Sequence, residues 1–392
     1  MDKRLLSLAL GMFALGTDGY VVAGVLPQIA HTYGTSIELT GQLTSIYAIT
    51  FALLAPTIAA VAAGVARRTM MLSGLAIFVL ANLGTAFSPT FAVAMVTRVL
   101  AGLGAAMFSP TATGSAALIV APERRGHALA IVMAGLSAAT ALGSPIGAVI
   151  GGLGDWRYTM GFVSVLAAAA TVGVYLYLDH IPLPPAISLA RRIAPLADSR
   201  ILLTLLTTLI AMTGNFVVYT YFAVAFDRVI AGNTLLLSAL LVLWGVAGTV
   251  SNLNAGKLID KFGPRKIVVT CLTVLIVDFA LFPLTSQNIW AAALAILVWG
   301  AACWAILVPQ QHRIVSMAPA IAPIVIGLNT SGTYLGITAA GLVGAVGLHF
   351  VGPYQLGLVA VIPVVIALGT YEMATRRIHA TQAREQAIAV RA

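Results

Sequence analysis

Long apolar stretches alternate with short polar breaks from one end of the chain to the other. An apolar helix needs about 20 residues to cross a bilayer. On that rule the sequence predicts twelve spans, at residues 5–30, 37–63, 69–87, 91–120, 128–153, 158–178, 201–225, 234–256, 266–284, 289–311, 321–348 and 354–374. An outer-membrane barrel is excluded, because its strands read as short alternating segments. The first run is read as a retained span, since no small-residue cleavage site follows it.

The breaks are asymmetric in charge. Place the N-terminus, with Lys3 and Arg4, in the cytoplasm. The even-numbered breaks then carry Arg67–Arg68, Arg124–Arg125, Arg191, Arg192 and Arg200, Lys257 through Lys266, Arg313 and Arg376–Arg377. The odd-numbered breaks carry only Arg157 and Arg228. Basic residues collect in cytoplasmic loops, so this pattern predicts both termini in the cytoplasm. The longest break, 179–200, holds Pro182, Pro184 and Pro185 and is expected to be a stiff, extended connector rather than a helix. It divides the chain into a six-span bundle (1–178), a linker (179–200), a second six-span bundle (201–378) and a tail (379–392).

Composition agrees with an all-α integral membrane protein. Of 392 residues 60% are hydrophobic and 8% charged, against about 25% charged in a soluble domain. The net charge of +9 is accounted for by the cytoplasmic loops, so no nucleic-acid partner is expected. Cys271 and Cys303 lie in apolar runs and read as core residues. His31, His127, His180, His312, His349 and His379 are scattered at span ends and loops, with no metal spacing. No phosphate-binding glycine–lysine loop and no nucleophile–base cluster is present. No cofactor, metal or catalytic activity is therefore expected, and ATP is not the direct energy source.

Against that apolar background two ionised residues stand out. Asp18 sits near the middle of the first span, LLSLALGMFALGTDGYVVAGVLPQIA. Arg98 sits in the fourth, RVLAGLGAAMFSP. A charged side chain at that depth costs roughly 2.5–3.5 kcal/mol on insertion scales, so each must face protein or water. At 1.5 Å per residue, Arg98 lies about 10 Å and Asp18 about 18 Å below the outer ends of their spans. Tilt and the long arginine can close the difference, and the two are expected to couple directly or through water. Asp278 in span 9 is the other deep acid, expected to face a polar partner on a peripheral helix.

Three motifs give the chain a resemblance. After span 8 the sequence is Gly256-Lys257-Leu258-Ile259-Asp260-Lys261-Phe262-Gly263-Pro264-Arg265-Lys266. It resembles the cytoplasmic loop motif of the major facilitator superfamily, with Gly256, Asp260, Gly263 and Arg265 in the matching places. Its glycines are expected to make a tight turn, with Asp260 accepting from helix N-termini, arginine or lysine. The first-half copy, from Ala63 to Arg68, lacks the acid. Span 4, with Arg98 followed by Gly102 and Gly104, is similar to the family's arginine motif. Span 5 reads ALGSPIGAVIGG, and Gly143, Pro145, Gly147 and Gly151 resemble the family's antiporter motif. Pro145 should kink that span. Span 1 and Asp155-Trp156-Arg157 resemble the twelve-span drug and sugar efflux branch, including chloramphenicol-resistance-like exporters. Asp18 falls one residue before the acid of that branch's pattern.

The resemblance implies two pseudo-symmetric six-helix bundles and alternating access to a midplane site. The implied cavity residues are Tyr47, Met107, Asn215, Tyr219, Tyr221, Trp244, Trp299, Trp304, Asn329 and Tyr334. Aromatic rings with one polar edge suit an amphipathic organic ligand. Asp18 and Arg98 would couple protons to transport. The expected function is a proton-coupled exporter of small organic compounds. Sugar or metabolite efflux is the nearest alternative, followed by an uptake symporter or facilitator. A membrane enzyme or sensor is disfavoured by the missing catalytic cluster and signalling domain. Short loops fit a bacterial inner (plasma) membrane, and family members are usually monomers. The orientation has a direct test. A C-terminal reporter that is active only in the cytoplasm should be active, and one active only outside should be silent; the reverse result overturns the charge reading.

Overall fold

The computed structural model describes residues 2–62, 64–179, 181 and 187–391, with side chains as far as 383. Ala63, His180, Pro182, Pro184 and Pro185 lie outside the described residues. Twelve helices are long and apolar enough to cross a membrane. They are α1 (Lys3–Tyr33), α2 (Ile37–Val61), α3 (Arg67–Ala86), α4 (Phe91–Ala116), α5 (Pro122–Gly152) and α6 (Trp156–Tyr177). The second set is α7 (Ser199–Thr220), α8 (Thr234–Phe262), α9 (Pro264–Thr285), α10 (Ile289–Met317), α11 (Pro319–Val351) and α12 (Pro353–Ala383). Twelve crossings leave both chain ends on one face, called here the terminal face; the other is the far face.

Helix starts at the far face are written in short polar side chains. Ser36, Thr90, Asp155, Asn233 and Asn288 cap α2, α4, α6, α8 and α10 by accepting from backbone N–H groups two or three residues on. Each cap satisfies a donor that the helix leaves unpaired. Proline opens α5, α9 and α11 at the terminal face, where its missing N–H costs nothing. Asp198 caps α7. Hydrogen bonds from Arg200 hold the Asp198 carboxyl below the usual carboxylate range.

The helices form two six-helix bundles. In the first, α1 packs on α5 and α6, α3 on α4 and α6, and α2 on α4. In the second, α7 packs on α11 and α12, α8 on α10, and α9 on α10 and α12. The bundles meet chiefly along α2–α11 and α5–α8.

Two expectations change. The connector contains a short helix, Leu189–Ile193, because Ser188 supplies a cap. Arg192 ties it to α2 through the Ala59 carbonyl at 3.1 Å. The loop motif after span 8 is mostly helix: α8 continues to Phe262, so Gly256 and Asp260 are helical and only Gly263 turns, with φ 79°. Nothing in that stretch breaks a helix before the Gly263–Pro264 pair. The tail is helical as well, since α12 continues unbroken to Arg391.

Span 5 accommodates Pro145 by a particular device. Residues Ala139–Gly143 form a π-helical turn just before the proline. The wider turn makes room for a ring that would clash with the preceding carbonyls. Glycines then bring α5 against α1. A Cβ on Gly135 would overlap the Ala9 carbonyl, one on Gly143 Thr17, and one on Gly147 Val21; one on Gly151 would come to 2.6 Å of Val25. This near four-residue ladder gives van der Waals contact where lipid offers no hydrophobic drive.

The ladder makes a prediction. Gly135→Ala meets backbone, which cannot yield, and overpacking of that kind costs about 1–3 kcal/mol. Thermal unfolding in detergent should start several degrees lower. Gly126→Ala, on the same helix with open space around it, should melt like the parent. Equal melting of the two variants contradicts the ladder.

Candidate functional site

Asp18 is placed by the helix behind it. Thr17, its neighbour, sits against Gly143 of α5, and Gly16 against Ala139. That packing turns the carboxyl inward, and its exposure is 0%. Arg98 arrives from α4, which lies tight on α2 because Gly102 faces the Tyr47 carbonyl with no side chain between. Arg98 is also 0% exposed.

The two residues meet. Arg98 Nη1 donates to Asp18 Oδ1 at 2.5 Å. Nη2 reaches the Asp18 carbonyl at 3.5 Å, and Nε the Leu43 carbonyl at 3.4 Å. The Tyr47 ring covers the guanidinium at 4.6 Å. The arginine thus ties α1, α2 and α4 together at one point. A buried pair of this kind contributes little net stability, because desolvation of both ions offsets their attraction. Removing one partner is different, since it strands a buried charge.

Beside the pair lies a continuous group of aromatic rings. Tyr20 from α1, Phe216 and Tyr219 from α7, Trp244 from α8, and Trp299 and Trp304 from α10 have neighbouring centroids 4.5–6.5 Å apart. Trp299 Nε1 donates to Asn215 Oδ1 at 3.1 Å. Tyr219 reaches Ser144 of α5 and the Tyr20 carbonyl at 3.4 and 3.5 Å. Among the described residues the Trp244 and Trp304 N–H groups have no acceptor. Tyr334 of α11 stacks on Phe51 of α2 with centroids 4.0 Å apart.

The structure gathers some implied cavity residues and separates others. Tyr47, Asn215, Tyr219, Trp244, Trp299, Trp304 and Tyr334 cluster around the ion pair and the rings. Met107 does not join them: its Cβ faces Gly74 of α3, at the α3–α4 seam. Its helix rotation is fixed by Arg98, nine residues earlier on the same helix. Asn329 is buried on α11, and among the described residues its Oδ1 has no partner. Tyr221 stands nearer the far face. Tyr20 and Phe216 are central, yet neither was an implied cavity residue; the signal was Tyr20's place two residues after Asp18.

Bonds between the bundles are concentrated away from the terminal face. Tyr221 inserts its ring between Gly41 of α2 and Gly344 of α11, where a Cβ on either glycine would approach to about 2.5 Å. Its hydroxyl donates to the Gly341 carbonyl at 2.8 Å. Gln42 donates to the same carbonyl at 3.1 Å. On the other side, Ser238 of α8 donates to the Pro145 carbonyl at 3.1 Å. Toward the terminal face, Gly126, Gly256 and Gly327 have open space around them. Among the described residues no hydrogen bond joins α4 or α5 to α10 or α11. The hydrogen bonds that join the bundles thus lie toward the far face and the middle of the helices.

The loop motif is not engaged. Asp260 is exposed and has no hydrogen bond or ion pair among the described residues, contrary to its expected acceptor role. Arg265 pairs with Glu372 of α12 at 2.9 Å instead. Asp278 also departs from expectation: it is half-buried on α9 with no polar partner among the described residues.

The chain resembles known proteins along nearly all its length. A sequence profile of the Major Facilitator Superfamily matches residues 8–341. The inner membrane transport protein YdhP of Escherichia coli (strain K12) is 30% identical over 354 residues, 89% of this chain and 91% of that one. A chloramphenicol resistance protein of Streptomyces lividans is 28% identical over 352 residues, 88% of this chain and 89% of its own. The fold is similar to a bacterial homolog of the human lysosomal transporter Spinster, solved in an inward-facing and occupied conformation. The TM-score is 0.75 at 16% identity, covering 95% of this chain and 96% of that one.

Tyr221 offers a direct test of the closure. Its hydroxyl contributes about 1 kcal/mol, as a typical net hydrogen bond does. In a Cys271→Ser, Cys303→Ser background, Ser45→Cys lies behind the wedge. Adding Tyr221→Phe should raise its labelling by an impermeant maleimide from the far face about fivefold. Unchanged labelling contradicts the role given to Tyr221.

Proposed function

The chain belongs to the major facilitator superfamily, and on that premise we propose that it is a proton-coupled exporter of small organic compounds. It is a multi-pass transporter of the inner membrane, built from twelve spans in two bundles. The proposal adds the coupling ion, the direction and the orientation. The observation that carries it is the Asp18–Arg98 pair, an ionisable acid and its counter-charge sealed in the midplane, where neither is required to build a helix.

The terminal face, rich in lysine and arginine, is cytoplasmic. The described state then faces inward, with its far-face closure on the outside. Burial opposes charge on a carboxylate, and a cation beside it favours charge. The intact ion pair corresponds to ionised Asp18, after its proton has passed to the cytoplasm. A cytoplasmic compound enters among the rings around Tyr20, Tyr219 and Trp244. The bundles rock, the α2–α11 and α5–α8 seams part, and the compound leaves outward. Asp18 takes a proton from the outer side, and the return stroke carries that proton inward. One proton in and one compound out completes the cycle. Arg98 holds the carboxylate when it is charged and keeps its positive charge when it is not.

Two features support export. The α5 glycines resemble an antiporter motif, and one relative is a chloramphenicol resistance protein. Sugar or metabolite efflux runs on the same machinery, so the first measurement is a drug and sugar susceptibility panel on overproducing cells, with and without an uncoupler. The membrane potential supplies about 2.3 kcal/mol per charge at 100 mV, or about a fiftyfold gradient per proton. In everted vesicles with chloramphenicol as probe, the parent should concentrate the compound on that scale. Asp18→Asn should reach the membrane in normal amount and leave the probe at equilibrium. If Asp18→Asn still concentrates it, Asp18 is not the coupling acid.

A further inference from the structure

A groove of about 610 Å³ runs between α3 and α6 on the outside of the first bundle. That is the size of an ordinary small-molecule site. Val79, Leu83 and Phe87 line one wall, and Gly161, Val165 and Ala168 the other. Each set recurs at three- or four-residue spacing, so each wall is a single helix face. Ser164 also lines the groove, but its hydroxyl donates to the Met160 carbonyl at 2.9 Å. The body of the groove is therefore apolar, and it is open to the side: Phe87 is 81% and Val165 67% exposed.

The far-face end has a different chemistry, because Asp155 and Arg157 close it. Asp155 caps α6 by accepting from the Arg157 backbone N–H at 3.0 Å. The Arg157 guanidinium lies over the Trp156 ring at 4.8 Å. Its bonds to the Asp155 carboxylate are long, 3.3 and 3.5 Å, and both come from Nη1. Among the described residues Arg157 Nη2 and Nε make no hydrogen bond. The two side chains keep 30% and 45% of their surface exposed. The end thus presents a cation and an anion side by side, each with bonding capacity left over.

From Arg157 to Ala168 the helix rises about 16 Å at 1.5 Å per residue. One leaflet of a hydrocarbon core about 30 Å thick has the same depth. A charged end at the interface and an apolar body one leaflet deep fit a lipid standing with its headgroup at the far face. The charges choose the headgroup. Arginine forks onto phosphate, and a carboxylate accepts from an ammonium N–H. A headgroup with phosphate and no ammonium would set its own charge beside Asp155.

We propose that the α3–α6 groove binds a zwitterionic phospholipid bearing a primary ammonium, with phosphate on Arg157, ammonium on Asp155 and one acyl chain along Gly161. The lipid joins α3 to α6 in the far leaflet. Neither the coupling ion nor the direction of transport enters this assignment.

The test uses the full chain, stripped of native lipid in detergent. Synthetic lipids with identical acyl chains are added, and bound lipid is counted by native mass spectrometry. The parent should hold one phosphatidylethanolamine about fivefold more tightly than phosphatidylglycerol, the upper range for an exposed ion pair. Phosphatidylcholine, whose ammonium has no N–H, should also bind more weakly. Asp155→Asn keeps the helix cap, since asparagine caps as well as aspartate. It leaves Arg157 alone, so its preference should pass to phosphatidylglycerol. Gly161 has open space where a side chain would project. Gly161→Leu should therefore fill the groove and abolish the tight site. Gly369→Leu, on an exposed part of α12 with equally open surroundings, should bind like the parent. If the parent does not distinguish the three lipids, or if Gly161→Leu retains phosphatidylethanolamine, the proposal fails. If the parent is a dimer and Gly161→Leu a monomer, the groove holds a second copy of the chain and the proposal fails as well.

Discussion

The constraint on which the rest of the structure depends is that two full charges sit where the surrounding medium is hydrocarbon. Asp18 and Arg98 are tolerable there only if no lipid touches them and each supplies the other's counter-charge. Sealing them requires helices to approach more closely than ordinary side chains allow. The glycines of α5 bring it onto α1, and Gly102 and Gly104 bring α4 onto α2 and α3. Each of these contacts is weak alone. Together they form a wall without gaps around one carboxylate and one guanidinium. The small residues of α1, α4 and α5 are therefore the consequence of the charge they enclose.

The seam between the bundles is built on different terms. Its hydrogen bonds run mostly from a hydroxyl or amide to a backbone carbonyl, at Gly341, Pro145, Ser45 and Ser137. Several are 3.4 Å long, at the weak end of the range. The remaining contact is shape, such as the Tyr221 ring between two glycines. No ion pair among the described residues crosses from one bundle to the other. A seam made of neutral bonds, each contributing about 1 kcal/mol, separates without stranding charge. Strong pairing is confined within a bundle, as with Asp18–Arg98 and Arg265–Glu372. That division permits rigid halves with a movable boundary.

The sequence made some of this plain and hid the rest, for physical reasons. Twelve spans, their order and the two halves followed from length and loop charge, because the bilayer imposes both. Asp18 and Arg98 were conspicuous because ionised residues are rare at that depth. Helical facing was not legible. Met107 and Tyr47 both lie on helices expected to line the path, yet only Tyr47 points toward Arg98. Rotation about a helix axis depends on contacts from other helices, which hydropathy does not record. The helical course of Gly256 to Phe262 was missed because a loop motif was read as a loop. Nothing in those residues stops a helix until Gly263.

Asp18 and Asp278 show what separates a deep acid that a transporter can use from one that it cannot. Both lie well inside long apolar helices. Asp18 has a cation 2.5 Å from one oxygen and is fully buried. Asp278 is half-buried, without a polar partner among the described residues. A proton on Asp278 changes the charge of one side chain and alters no contact between helices. A proton on Asp18 removes the charge that Arg98 of α4 holds, and so weakens the tie between α1 and α4. Coupling to motion needs the second situation, because a conformational equilibrium responds only to interactions that differ between its states. The enclosure of an acid by groups that distinguish its two forms, rather than its depth alone, makes it a candidate for coupling.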